Sequence, residues 1–411
     1  MMDLGQRIRK QMEVNKIFTP TTPVDESSLF SGRQQQLGRV VEAIAQKGQH
    51  VVIYGERGVG KTSLSNVLGQ LLSGQSSVVI APRATADSGD TFSSLWRKVF
   101  AEVTITNNKQ SIGFTSEKLF SQQTLSDQIQ GDITPDTVRR VLAQVGAHSL
   151  LIPIIDEFDR LDVSVTTAIA DTVKMLSDHA VPATIVLVGV ADSVDQLIRE
   201  HASVERALVQ VPMPRMSGQE IRGIIVNGLA RLGMTAKDDA LDHVVLLSQG
   251  LPHYTHLLGL NGTLNAIEED KVELTSNHIE RAVIKSVEST QSSIRSAYSK
   301  ATSSNRAENL YGHVLLACAM TGPDELGFFA PGAVREPMSI LMGKQYDIPS
   351  FARHLYDFTE EEKGPILERI GTERKYRYRF KNPLIQPYVI MKGLADGKIS
   401  RDALENFLKR R

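Results

Sequence analysis

Residues 51–62 read Val-Val-Ile-Tyr-Gly-Glu-Arg-Gly-Val-Gly-Lys-Thr, an apolar run that passes straight into a Gly-x-x-x-x-Gly-Lys-Thr loop. A helical pattern follows, with Leu64, Val67, Leu68, Leu71 and Leu72 spaced along it. Strand, glycine-rich loop and helix in this succession predict a site for a nucleoside triphosphate. Gly55, Gly58 and Gly60 let the backbone curl until the N–H groups around Val59, Lys61, Thr62 and Ser63 point at a β-phosphate. Lys61 adds positive charge for the β- and γ-oxygens and is counted with the catalytic residues, and the Thr62 hydroxyl is a ligand for Mg²⁺.

The second half of such a site is expected at Leu150–Asp159. The apolar run 150–155 reads as a strand buried on both faces, as in a parallel sheet. Asp156 ends that strand, where open α/β sheets bind ligands, and is a second candidate for Mg²⁺. Glu157 follows as the candidate base that orients or deprotonates an attacking water. Asp159 and Asp162 read instead as solvated residues or helix caps.

The chain has 411 residues, enough for two or three cores, with 41% hydrophobic and 23% charged residues, a net charge of −1 and a near-neutral pI. No global field draws it to nucleic acid or an anionic membrane, so any such binding needs a local patch. The longest apolar runs, near 150–155 and 184–191, are too short to span a bilayer, and Met1–Lys10 lacks the apolar core of a signal peptide. Cys318, the single cysteine, sits in an apolar helix-like run and reads as a core residue. No membrane association and a cytoplasmic location are expected.

From Leu29 onward helices and strands alternate: helix 33–46, strand 50–54, helix 61–73, strand 77–82, helices 90–103 and 134–146, strand 149–155, helix 164–178, strand 183–190. This predicts an α/β core at 29–213 behind an N-terminal arm at 1–28. Residues 104–132, rich in Ser, Thr, Gln and Asn, read as an insertion or loop. Ser217-Gly-Gln-Glu220 is a capping box opening an all-helical lid at 214–300, with helices near 237–248, 252–267 and 276–300 and no strand among them. A third unit, 305–411, has helices followed by a strand in which Tyr376, Tyr378 and Phe380 alternate with Lys375, Arg377, Arg379 and Lys381. Residues 366–381 hold six Lys/Arg against two Glu, a local excess of +4. Helices plus a basic hairpin suggest a winged helix that meets duplex DNA through Arg374, Lys375, Arg377 and Arg379. An edge strand that carries charge only to discourage aggregation gives the same pattern.

With these parts together the sequence resembles the initiator branch of the AAA+ ATPases: origin-recognition-type proteins, bacterial transposition ATPases and STAND signalling ATPases. The fold implied is an AAA+ P-loop core with a parallel sheet, a helical lid and a C-terminal winged helix. Phe30-Ser31-Gly32-Arg33 resembles the Gly-Arg signature before the loop, which implies that Gly32 and Arg33 contribute to the adenine pocket. Val188–Ser193 takes the place of the first sensor, with Asp192 or Ser193 toward the γ-phosphate. Arg206 lies where the family's arginine finger precedes the last core strand, which implies self-association through the nucleotide site; a capping arginine is the competing reading. Gly250-Leu-Pro252-His253 resembles the second-sensor helix and the STAND Gly-x-Pro motif, with His253 where initiators usually have Arg. A neutral imidazole there implies slow turnover or a switch.

Two functions follow from the resemblance. One is a DNA-binding switch that binds and hydrolyses ATP with Mg²⁺ and assembles on duplex DNA. The other is a STAND-like signalling or defence ATPase whose C-terminal unit binds a protein partner. A metabolic kinase is set aside, because no acceptor-substrate motif accompanies the loop.

Overall fold

The computed structural model describes residues 4–23, 31–75, 79–107, 121–190, 202–304, 309–324, 326–373 and 375–409. Five parallel strands form the central sheet: β1 (His50–Tyr54), β2 (Arg83–Thr85), β3 (Ile154–Asp156), β4 (Val186–Gly189) and β5 (Leu208–Pro212). Their order across the sheet is 2-3-4-1-5, so β1 lies between β4 and β5. The strands are apolar throughout because both faces are covered. Val51 and Ile53 enter one core with Ile154, Val186 and Val188, while Val52, Ile155 and Leu187 enter the other.

β1 matches its expected bounds, and the helices Gln34–Ala45, Lys61–Gln75 and Pro135–Gly146 lie within a few residues of theirs. Thr134 caps the last of these through the Thr137 N–H, with Pro135 in the first turn. The expected strand 77–82 is split, into Val79–Ile80 and β2, and the strand 149–155 into Leu150–Leu151 and β3. Pro82 and Pro153 interrupt both, since proline has no N–H for the ladder. Their carbonyls still accept from Ile154 and Val186 at 2.8 Å, so the sheet continues past them. Within 104–132, the described residues form an antiparallel pair, Thr104–Asn107 with Ser121–Thr124, rather than an unstructured loop.

The lid has the capping box Ser217/Glu220 and helices Gly218–Arg231, Asp238–Ser248 and Pro252–Glu268. Contrary to the strand-free expectation, Thr235–Ala236 and Glu273–Leu274 pair in parallel between these helices. The expected helix 276–300 breaks at Thr290 and Gln291 into Ser276–Ser289 and Ser292–Thr302. The C-terminal unit runs through helices Tyr311–Met320, Arg335–Met342 and Ala352–Asp357 to an antiparallel hairpin, β6 (Leu367–Ile370) and β7 (Arg377–Phe380). Phe329 bridges to Tyr378 on the open side of β7. Helices Ile385–Ala395 and Arg401–Lys409 then pack back against the lid. Arm, lid and C-terminal unit share a single apolar core with one face of the sheet, in which Cys318 is wholly buried. No described helix is long and apolar enough to cross a membrane.

Candidate nucleotide site

The glycine-rich loop leaves the C-terminal end of β1 and turns at Gly58 (φ 87°) and Gly60 (φ 95°), a region that favours glycine. Gly55 is required for a different reason: a Cβ there would lie 2.3 Å from the Met213 carbonyl at the end of β5. Lys61 Nζ donates to the carbonyls of Gly55 at 3.0 Å and Glu56 at 2.8 Å, which holds the ammonium at the centre of the loop. Burial pushes its pKa below the usual lysine value, and the charges of Asp159 and Asp156 pull it back up.

Asp156 is buried at the end of β3, with Oδ2 accepting from Arg83 Nη2 at 2.6 Å and Oδ1 from the Glu157 N–H at 2.9 Å. Glu157 is exposed and sits in the left-handed region, φ 56° and ψ 35°, a strained conformation of the kind that clusters at functional sites. Its Oε2 accepts from Arg160 Nη1 at 2.9 Å.

These residues open into one cavity of about 1170 Å³, ample for a nucleoside triphosphate. Gly55, Gly58, Gly60, Lys61, Thr62, Ser63, Asp156, Glu157, Pro252 and His253 all line it. Asp159, read from sequence as a solvated or capping residue, also lines it, and its charge is the strongest electrostatic partner of Lys61. Thr62 and Asp156 supply the hydroxyl and carboxylate that a Mg²⁺–nucleotide site uses beside phosphate oxygens and water, so the donor set fits that ion.

Two walls of the cavity are not legible from sequence. Thr19–Pro23 of the N-terminal arm form one, pinned by the lid helix: His253 Nδ1–H donates to the Pro20 carbonyl at 2.6 Å, and the Thr19 N–H donates to His256 Nδ1 at 3.2 Å. The two imidazoles are therefore opposite tautomers, and burial lowers both pKa values, that of His256 to about 4. Residues 379–384 of the C-terminal unit form the other wall. Leu384 lies over the loop, where a Cβ on Gly58 would meet its Cδ2 at 3.0 Å, and the Leu384 carbonyl accepts from Tyr254 OH at 2.6 Å. Behind it, Arg215 joins three units, donating to Glu56 Oε2 at 2.6 Å and to Gln386 Oε1 at 2.7 Å.

Other expected site residues lie elsewhere. Gly32, Arg33 and Val59 do not line the cavity. The Arg33 guanidinium is buried and donates to the carbonyls of Val59 (3.3 Å) and Pro214 (2.5 Å), while the Arg33 backbone N–H donates to Glu220 Oε1 at 3.0 Å, so Arg33 ties loop to lid. Arg206 is exposed just before β5, at the sheet end opposite the loop, so it does not face the nucleotide of its own chain. On β7, Arg377 pairs with Asp324, and Arg379 pairs with Glu368 at 2.9 Å and lines the nucleotide cavity. Lys375 is exposed. Asp192, Ser193 and Arg374 lie outside the described residues.

A parallel sheet with this loop after its first strand and an acidic pair ending its third defines a P-loop NTPase of α/β architecture. The sequence profile of the novel STAND NTPase 1 family matches residues 22–266, more than half of the chain, and the chain belongs to that family. No curated protein matches the sequence. Among solved structures, the Cdc6p protein of Pyrobaculum aerophilum is similar over 94% of this chain and 99% of its own, at 13% identity and a TM-score of 0.44. The ORC1 protein of Aeropyrum pernix, solved in complex with DNA, is similar over 98% of this chain and 96% of its own, at 14% identity and a TM-score of 0.46. A Walker-type ATPase of Pyrococcus abyssi is similar over 90% of this chain and 98% of its own, at 14% identity and a TM-score of 0.48.

Proposed function

We propose that this chain is an ATP-binding and ATP-hydrolysing switch in which the nucleotide sets how the C-terminal unit sits on the core. The observation that carries this reading is the composition of the cavity: loop, arm, lid and the 379–384 segment all wall the same space. A ligand that contacts every unit can bias their arrangement by its differential affinity for each arrangement. Thr62 and Asp156 would hold Mg²⁺, which supplies charge neutralisation at the β- and γ-phosphates. Lys61 adds its charge to the same oxygens, and Glu157 accepts the proton of the attacking water as the water oxygen bonds to the γ-phosphorus and the bond to the β–γ bridging oxygen breaks. Arg206, exposed and remote from its own site, suits a finger offered to a neighbour's nucleotide, which supports self-association.

The test combines nucleotide binding with hydrogen exchange of the helix Ile385–Ala395. Lys61→Ala is expected to lose most ATP affinity. Glu157→Gln is expected to keep binding but hydrolyse about a hundredfold more slowly or worse. ATP that binds wild type without changing exchange in that helix would refute the switch.

A second reading keeps duplex DNA as the partner of the C-terminal unit. The succession of three helices, the Phe329–Tyr378 bridge and the hairpin supports a winged helix, and Lys375 is exposed on it. The pairing of Arg377 and Arg379 with Asp324 and Glu368 weighs toward a protein partner instead.

A further inference from the structure

We infer that Arg160 is a γ-phosphate ligand of its own chain's site, and that in taking the phosphate it releases Glu157 to act as base. This rests on the nucleotide reading above. Arg160 and Glu157 both line the cavity that holds Lys61 and Thr62. In the structure the guanidinium is bound to the carboxylate at 2.9 Å, so the candidate base is engaged by a cation that itself faces the nucleotide space.

Physical chemistry favours an exchange of partners there. Both side chains of the pair are about half exposed, 51% and 47%, and ion pairs in such surroundings hold weakly. A terminal phosphate carries more charge than a carboxylate and offers three acceptor oxygens, which suit the planar guanidinium fork. The lid offers no competing cation at Pro252–His253, because burial lowers the His253 pKa and its Nδ1–H is spent on Pro20. Lys61 is held at the centre of the loop by the carbonyls of Gly55 and Glu56, and Arg160 approaches the same space from the strand end that carries Glu157. Asp159 lies one residue before Arg160 and also lines the cavity, so the exchange takes place beside a second carboxylate.

A residue that only positions Glu157 would alter turnover and leave the preference for triphosphate untouched; a γ-phosphate ligand must alter that preference. The experiment uses the full chain with Mg²⁺ and measures anisotropy of fluorescent ADP and of a fluorescent β,γ-imido ATP analogue. Arg160→Ala is expected to weaken the analogue about tenfold or more, the scale of one charge-assisted hydrogen bond, with ADP affinity within about twofold of wild type. Arg160→Lys is expected to fall between the two, keeping charge without the fork. Retained ADP binding is also the check on folding. Equal shifts for both nucleotides, or none, would overturn the assignment to Arg160. Wild type binding neither nucleotide would overturn the nucleotide reading itself.

Discussion

Replacing Arg215 with alanine is expected to loosen the C-terminal unit from the nucleotide core. Glu56 and Arg215 are 12% and 19% exposed, and their 2.6 Å ion pair is continued by Arg215 to Gln386 at 2.7 Å. Removing one partner of a fully buried pair costs about 3–5 kcal/mol; the residual solvent here reduces this to about 2 kcal/mol. Gln386 Oε1, on a buried residue, loses its charged donor as well, which adds about 1 kcal/mol. The sum, about 3 kcal/mol, corresponds to roughly a hundredfold loss of exchange protection in the helix Ile385–Ala395 if that helix opens by leaving the core. Hydrogen exchange by mass spectrometry reads this directly, with β1 peptides as the internal reference. A double-mutant cycle with Glu56→Gln separates the pair from the rest of the loss and is expected to give a coupling of about 2 kcal/mol. Protection that falls less than threefold, or a cycle that is additive, would refute the view that this junction fastens the three units.

Arg206→Ala is expected to bind ATP as wild type does and lose turnover, and mixing it with Glu157→Gln is expected to restore activity at shared interfaces; full activity of Arg206→Ala alone would remove the finger. If duplex DNA is the partner, replacing Lys375 and Arg377 with alanine lowers the slope of log affinity against log salt by about 0.9 for each phosphate no longer neutralised, on every sequence alike. Unchanged DNA binding by that variant, or none by wild type, would leave these charges to a protein partner or to solubility. Burial pushes His50 and His256 down to about 4, so the unfolded chain takes up protons near 6.5 while the folded chain refuses them until about 4. Their stabilising contribution is therefore complete above about 6.5 and lost as pH falls toward 4, about 3 kcal/mol for each at full loss. Urea midpoints that stay flat between pH 7 and 4.5 would contradict this, and His50→Gln/His256→Gln is expected to flatten the wild-type slope.

The loop and its strand are legible because their determinants are local: a β-branched run, glycines where φ is positive, and a helix start, all within residues 50–75. Asp156 and Glu157 are legible by the same logic, since an apolar run ending in acid marks the ligand edge of a parallel sheet. The other walls are not. Pro20 meets His253 across 233 residues, Arg215 meets Gln386 across 171, and Tyr254 meets Leu384 across 130. No periodicity encodes such long-range meetings. The alternation on β7 predicts the burial of Tyr378 and Phe380 correctly, yet it cannot say that the opposite row meets Asp324, Glu368 and the nucleotide cavity. Asp159 is exposed as expected, yet the 3-10 turn Phe158–Arg160 also places it beside the cavity, which the sequence alone does not show.

The two faces of the central sheet are completed at different moments of synthesis. Among the described residues, the core on one face draws only on side chains between Val52 and Leu208, whereas the core on the other draws side chains from Val14 to Phe407. A chain emerging from the ribosome can close the first face once Leu208 is out. On the second, side chains from helices Gln34–Ala45 and Lys61–Gln75 and then the lid join Val51, Ile53, Val186 and Val188 early, but C-terminal members such as Leu404 and Phe407 arrive about 200 residues after Leu208, about 10–40 s at ordinary elongation rates. For that interval the nascent protein carries an unfinished apolar core where the C-terminal helices will seat, and that is where a co-translational chaperone would find its target.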